Sequence, residues 1–255
     1  MVDGKKKHEI QNMYVAKSNE LMQKARYNLT VQQQKLILFA ISKIKPEDDI
    51  NKVYELNIDE VCSVMGLELD TGGIYYKRIK DDLIKLTTRL WVKFPDREAT
   101  VSWIGDAEII PLSGTVYIKF HEKMKPYLFD LKAHYTQYQL YEVLTLKGKY
   151  AIRLYELLRS YIYQEELRNQ EKREVEFSID ELRSLLCCES YKRWAEFDRC
   201  VIRKAVNEIN QYSDIFKISY GTVKNGKSVS KIYFEIDYPS FKEKVLIHDQ
   251  QRKRL

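Results

Sequence analysis

The chain has 255 residues, 44% hydrophobic and 12% aromatic, with 43 Lys and Arg against 37 Asp and Glu for a formal net charge of +6. That apolar content excludes a disordered chain, and the length allows one large domain or two of about 120 residues each. No run reaches the roughly 18 apolar residues needed to cross a bilayer, and no apolar core follows the basic start MVDGKKKHEI, so a cytoplasmic location with no membrane partner is expected.

Residues 1–17 read as a flexible basic arm carrying Lys5, Lys6 and Lys7. Thr30 is placed to cap a helix, and Leu36, Ile37, Phe39, Ala40, Ile41 and Ile44 recur at helical spacing up to Pro46. VYELNI (53–58) reads as a strand, with Asp59 as the cap of a short helix that Gly66 ends. A longer helix is expected from Tyr75 to Leu90, then strands at WVKF (91–94) and VSWIGDAEII (101–110). Pro111 to Gly114 reads as a turn, TVYIKF (115–120) as the returning strand, and 122–131 as a closing helix.

The second half repeats this order. TQYQLYEVLTL (136–146) leads into an apolar helix from Tyr150 to Tyr163, followed by a charged loop over 164–174. A strand (175–178), a short helix (180–187) and a long helix (191–211) come next. Two strands then flank Asn225-Gly226, a dipeptide suited to a type I′ hairpin turn.

A shift of 121 residues lays YELNIDEVCSVMGLE (54–68) over VEFSIDELRSLLCCE (175–189), with six of the fifteen positions identical. Unrelated segments would share about one, so duplication of one unit is the simplest account. Helix, strand, helix, helix and hairpin is the order of a winged helix. The expected fold is α+β: two tandem winged-helix domains related by internal duplication. The N-terminal domain covers 18–132, the C-terminal domain 133–240, and a basic polar tail 241–255.

The charge excess lies in the second half: residues 1–130 carry 20 Lys and Arg against 19 Asp and Glu, residues 131–255 carry 23 against 18. On a helical wheel of the second long helix, Trp194, Phe197, Val201 and Ala205 share one side, flanked by Ile209. Lys192, Arg199 and Arg203 fall opposite, beside Glu196 and Asn210, with Arg193 and Lys204 on one flank. A helix with outward cations suits the major groove, where Arg donates two hydrogen bonds to guanine. The plainer reading is a solvated charged face.

In the first copy Ile79, Leu83, Leu86 and Leu90 form the inner stripe, and Arg78, Lys85 and Arg89 point outward beside Asp81 and Thr88. Asp81 weakens the field there, so backbone contact is expected more than base reading. Lys224, Lys227 and Lys231 sit near the second hairpin tip, within reach of phosphate or a minor groove.

Gly221 to Ser228 matches the phosphate-loop pattern G-x-x-x-x-G-K-[ST], but the alternating SVSKIYFEI that follows is a strand where that chemistry needs a helix. The four histidines are scattered, and no His-x-His pair stands ready to hold a metal beside a tyrosine nucleophile. Cys62, Cys187, Cys188 and Cys200 form no C-x-x-C pair and read as buried or half-buried thiols. No catalytic site, cofactor or metal is expected.

YNLTVQQQKLILFAI (27–41), YAIRLYELL (150–158), FSIDELRSLL (177–186) and FDRCVIRKAVNEIN (197–210), in this order and spacing, resemble the Rep-type initiators of iteron-bearing bacterial plasmids over roughly residues 18–238. The resemblance implies two winged-helix domains that bind repeated origin sequences in double-stranded DNA. It also implies a homodimer in equilibrium with the monomer, repression of the protein's own promoter by the dimer, and contacts with a host initiator and the replicative helicase. Recognition by the long helix of each domain maps onto Lys192, Arg193, Arg199, Arg203 and Lys204 and, in a lesser role, onto Lys77, Arg78, Lys85 and Arg89. The competing readings are a tandem winged-helix transcriptional regulator that never opens DNA and a protein-interaction scaffold with incidental basic faces.

Overall fold

The computed structural model describes residues 12–68, 73–88, 90–93, 96–162, 173–213 and 216–237. Arg89, residues 1–11 of the expected arm, the loop from 164 to 172 and the tail past 237 lie outside the described residues.

The first unit runs β1 (Tyr14–Ser18), α1 (Asn19–Lys24), α2 (Val31–Ile41), β2 (Val53–Asn57), α3 (Ile58–Met65) and α4 (Ile74–Thr87). A small hairpin follows, β3 (Leu90–Lys93) with β4 (Glu98–Val101), then the wing strands β5 (Ile104–Ile110) and β6 (Thr115–Phe120), and the single turn α5 (Lys125–Leu128). The second unit runs β7 (Tyr135–Gln139), α6 (Leu140–Leu144), α7 (Lys149–Arg159), β8 (Arg173–Ser178), α8 (Ile179–Leu185), α9 (Trp194–Phe197), a π turn (Asp198–Ile202), α10 (Arg203–Tyr212), β9 (Lys217–Asn225) and β10 (Ser228–Asp237). The two three-stranded sheets have matching orders, β2-β6-β5 and β8-β10-β9. The shift of 121 carries β1 onto β7 and the first residue of α3 onto the first residue of α8.

Local chemistry sets the element ends. Thr30 accepts from the Gln33 amide while the Gln33 side chain accepts from the Thr30 amide, a complete capping box for α2. α3 is capped by Asn57, not by Asp59: the Asn57 side chain accepts from the amides of Asp59 and Glu60. Asp59 instead lies in the first turn, where a carboxylate faces the positive helix end. Gly66, at φ +70°, ends α3.

The expected strand 101–110 is broken. Val101 closes β4, Trp103 is buried edge-on against Tyr27 with ring centroids 5.0 Å apart, and β5 starts at Ile104. The expected helix 122–131 shrinks to a 3₁₀ turn (Glu122–Met124) and α5, because Phe129 is extended and buries its ring against Phe120. The lead-in 136–146 is a strand and a short helix, β7 and α6.

Residues 14–17, expected in the loose arm, form most of β1, which pairs antiparallel with β7. Ala16 faces Gln137, its own equivalent under the 121 shift, and the pair Tyr14 with Gln139 maps onto the pair Ser18 with Tyr135. The ribbon is therefore self-complementary, as an isologous dimer contact would be, but within one chain. It crosses the boundary expected at 132–133.

α2 and α7, equivalent helices of the two units, pack against each other. Gln33 to Ile41 and Ala151 to Arg159 are buried without a break. A helix buried all round must satisfy its polar groups internally. Lys17 (1% exposed) is ion-paired with Glu156 (2% exposed). Glu156 also accepts from the Tyr138 hydroxyl at 2.5 Å, and the Tyr155 hydroxyl donates to Glu142. The Lys35 ammonium donates to the Leu144 carbonyl at 2.6 Å, and burial lowers its pKa. Arg153 donates to the Ala25 carbonyl at 2.7 Å and lies over the Tyr27 ring. No helix among the described residues is long and apolar enough to cross a membrane.

Replacing Lys17 by Met leaves Glu156 buried without its counter-charge. The expected loss is about 3–5 kcal/mol in urea denaturation, and adding Glu156→Gln should recover a large part of it.

Candidate nucleic-acid interface

In the second unit the path to the long helix begins at Ser178, whose hydroxyl caps α8 by accepting from the Glu181 amide at 3.2 Å. Cys187, with φ +49°, turns the chain out of α8. Arg183 then pins the connection. Its guanidinium pairs with Asp180 at 3.0 Å, donates to the Lys192 carbonyl at 2.8 Å and lies over the Phe197 ring at 5.2 Å. Lys192 and Arg193 are exposed, but they precede the helix: Arg193 is the extended cap residue of α9 and Lys192 belongs to the pinned loop. The wheel that placed them on the helix began too early.

The helix is not uniform. Phe197, Val201, Ala205 and Ile209 are buried at steps of four. Such a stripe drifts about 40° per step around a regular α-helix. The wider π turn over Asp198–Ile202 offsets part of this drift. It also carries Asp198 and Ile202 to the buried side. Trp194, expected in the core, is half-buried at the helix start. Asn210, expected beside the outer cations, turns to β9 instead. Its side chain donates to the Ile218 carbonyl at 2.7 Å and accepts from the Ile218 amide at 2.8 Å.

Arg199, Arg203 and Lys204 are exposed on the outer face. Glu196 is exposed at the start of the helix, while two other nearby carboxylates are drawn inward. Glu208 accepts from the amides of Lys147 and Gly148 at the start of α7. Asp198 accepts from the Arg203 guanidinium, and from the Tyr220 hydroxyl at 2.5 Å. Tyr220 and Asp198 together raise the Arg203 pKa, and burial pushes the Tyr220 hydroxyl up. Arg203, expected among the outward cations, is 61% exposed in its side chain and yet paired.

The wing β9–β10 carries exposed Lys224 and Lys227 at its tip. Asn225 pairs with Ser228, so Gly226 and Lys227 are the central turn residues, and of the two Gly226 alone has positive φ (+61°). That is the pattern of a type II′ turn in place of the expected I′. Strand continues on both sides of the turn, so the phosphate-loop match is a hairpin tip. Lys231 is neutralised by Glu176 at 2.6 Å. At Gly221 an added Cβ would lie 2.2 Å from the Tyr233 hydroxyl, so Tyr233 fills the space over the bare backbone of its cross-strand partner.

In the first unit Ile79, Leu83 and Leu86 are the buried stripe of α4. Lys77, Arg78 and Lys85 are exposed with Asp81, as expected, and so is Lys80, which the wheel reading missed. Asp82 is half-buried and accepts from the Gln33 side chain at 2.9 Å. Ile84, 51% exposed, stands among these cations. The exposed charges of the first wing include Asp106 and Glu108, and its tip is Ile110 to Gly114, without lysine.

The family model described as "Initiator Replication protein, WH1" matches residues 14–159, and that described as "Initiator Rep protein, WH2" matches residues 178–236. The chain belongs to the initiator replication protein family. The first of these spans reaches across β7 to the end of α7, the helix packed between the two units. A replication initiation protein of Escherichia coli is 24% identical over 230 residues, covering 88% of this chain and 70% of that one. The crystal structure of the Pi initiator protein in complex with iteron DNA superposes with a TM-score of 0.71 at 19% identity, over 90% of this chain and 99% of the other. That likeness shows the fold: two winged-helix units in one chain. Replication initiation is the function of the family, and DNA-binding winged helices are its means.

Arg183→Ala removes both the hydrogen bond that holds the Lys192 carbonyl and the stack on Phe197. It should cost about 1–3 kcal/mol in thermal or urea unfolding, and Arg183→Lys, which lacks the planar fork, should recover less than half.

Proposed function

We propose that the chain initiates plasmid replication by binding repeated origin sequences in double-stranded DNA, with the second unit as the main reader. The observation that carries this reading is the outer face of α9 to α10. Arg199, Arg203 and Lys204 are exposed there against one exposed carboxylate of the helix start, Glu196, while Asp198 and Glu208 are turned inward. Lys192 and Arg193 extend this basic surface ahead of the helix, and Lys224 and Lys227 extend it along the wing. The Pi protein, whose fold this chain shares, was solved with iteron DNA, which supports direct repeats as the target.

The roles divide between the units. Residues 133–240 read bases in the major groove, and residues 18–132 hold the DNA backbone through Lys77, Arg78, Lys85 and Arg89. The acidic β5 and lysine-free tip of the first wing favour that division. A homodimer in equilibrium with the monomer, autoregulation by the dimer, and recruitment of a host initiator and replicative helicase complete the proposal. The protein acts in the cytoplasm by binding and contributes no catalysis of its own.

Footprinting on the DNA adjoining the gene tests the proposal. Several evenly spaced direct repeats are expected; a single inverted repeat would instead identify a transcriptional regulator. On the footprinted site, Arg199→Ala should lose about 1–3 kcal/mol of discrimination at one base pair. Lys224→Ala and Lys227→Ala should weaken every sequence alike, each lowering the slope of log K against log salt by about 1. Unchanged affinity and specificity in Arg199→Ala, or a sequence-selective loss in the wing variants, would overturn these assignments.

A further inference from the structure

The π turn brings together two side chains that a regular helix would keep apart. Asp198 and Arg203 are five residues apart, a separation that an α-helix turns through about 140° beyond one full turn. In the π turn the Arg203 amide donates to the Asp198 carbonyl, so the two residues stack along the axis. The Asp198 carboxylate then accepts from the Arg203 Nη2 through one oxygen and from the Tyr220 hydroxyl through the other.

Packing gives little reason for an aspartate there. Its neighbours Phe197, Val201 and Ile202 are buried and apolar, and Asp198 itself is 7% exposed. A charge in such a place costs desolvation, which an ion pair with a largely exposed partner offsets only in part. Nor does the pairing hide the arginine, whose side chain remains 61% exposed. What the arrangement achieves is orientation. The guanidinium is held by Asp198 while its side chain stays largely exposed, and the brace reaches across to the first strand of the wing through Tyr220. A guanidinium fixed in its plane loses less entropy when it makes a two-pronged contact.

We propose that Asp198 is a positioning residue that sets the Arg203 guanidinium for base reading, with Tyr220 as the second brace. This rests on the reading that Arg203 faces DNA. The sequence pattern D-x-x-x-x-R at 198–203, with a tyrosine on the following strand, is then a specificity device.

The test measures relative affinity over all single-base-pair variants of the footprinted site, at fixed salt, for wild type, Arg203→Ala, Asp198→Asn, Tyr220→Phe and the double variant Asp198→Asn/Arg203→Ala. Arg203→Ala should flatten the preference at one base pair by about five- to hundredfold. Asp198→Asn should flatten the same pair by about two- to tenfold without lowering affinity for unrelated DNA, since it removes a negative charge, and should add nothing to Arg203→Ala. Tyr220→Phe, which removes only a hydroxyl, should act in the same direction and carries the test if Asp198→Asn fails to fold by circular dichroism. A folded Asp198→Asn or Tyr220→Phe with the full wild-type preference, or a flattening additive with Arg203→Ala, would overturn the positioning role alone. Unchanged preference in Arg203→Ala would overturn base reading by Arg203, and the positioning role with it.

Discussion

The architecture depends on a charge pair in its interior. Lys17 and Glu156 neutralise each other where the two units meet, with Tyr138 completing the carboxylate's hydrogen bonds. α2 and α7 are buried on every side, so each polar group along them needs an internal partner. Lys35 finds the Leu144 carbonyl, Gln34 the Leu29 carbonyl, and Arg153 the Ala25 carbonyl. The Lys35 and Arg153 bonds join residues more than 100 apart in sequence and favour this docking arrangement, because a charge left unpaired in the interior is costly. The helices that carry the outward cations inherit their placement from this interface. Glu208 on α10 holds the start of α7, and Arg26 beside α1 donates to Ser184 on α8 at 2.7 Å.

The two units show what duplication leaves free to change. Sheet order and the cap of the short helix, Asn57 in one unit and Ser178 in the other, correspond, while the outer faces have diverged. In the second unit Asp198 and Glu208 turn inward, which leaves Arg199, Arg203 and Lys204 outward against the exposed Glu196. In the first, Asp81 and Ile84 stay outward among Lys77, Arg78, Lys80 and Lys85. The scaffold constrains the core positions, and function acts on the remainder.

Much of this was legible in the chain itself. The 121-residue shift reveals the duplicated units, and the Thr30 capping box, the Gly66 stop and the stripe of Ile79, Leu83 and Leu86 each follow from local rules. What escaped depends on distance or on departures from regular geometry. Lys17 looks like part of a solvated basic arm because its partner lies 139 residues away. The wheel assumes 100° per residue, so it could not foresee a π turn that buries Asp198 and turns Asn210 toward β9. The exposed charges were the easiest to find, since Arg199, Arg203 and Lys204 follow the apolar stripe. That Arg203 is held, and by what, needed the fold.

The β1–β7 ribbon also has a consequence in time. Protein synthesis runs from the N-terminus, so β1 leaves the ribosome 121 residues ahead of the strand that completes it. At about 5–20 residues per second that is a wait of roughly 6–24 s, far longer than a helix or hairpin needs to form. Through that interval the first unit can build its own sheet and helices, but Val15 and Lys17 have no strand to face. The second unit thus finishes the first, and a nascent chain arrested before residue 135 carries a half-made seam. The length of chain between these two strands sets the earliest moment at which the seam can close.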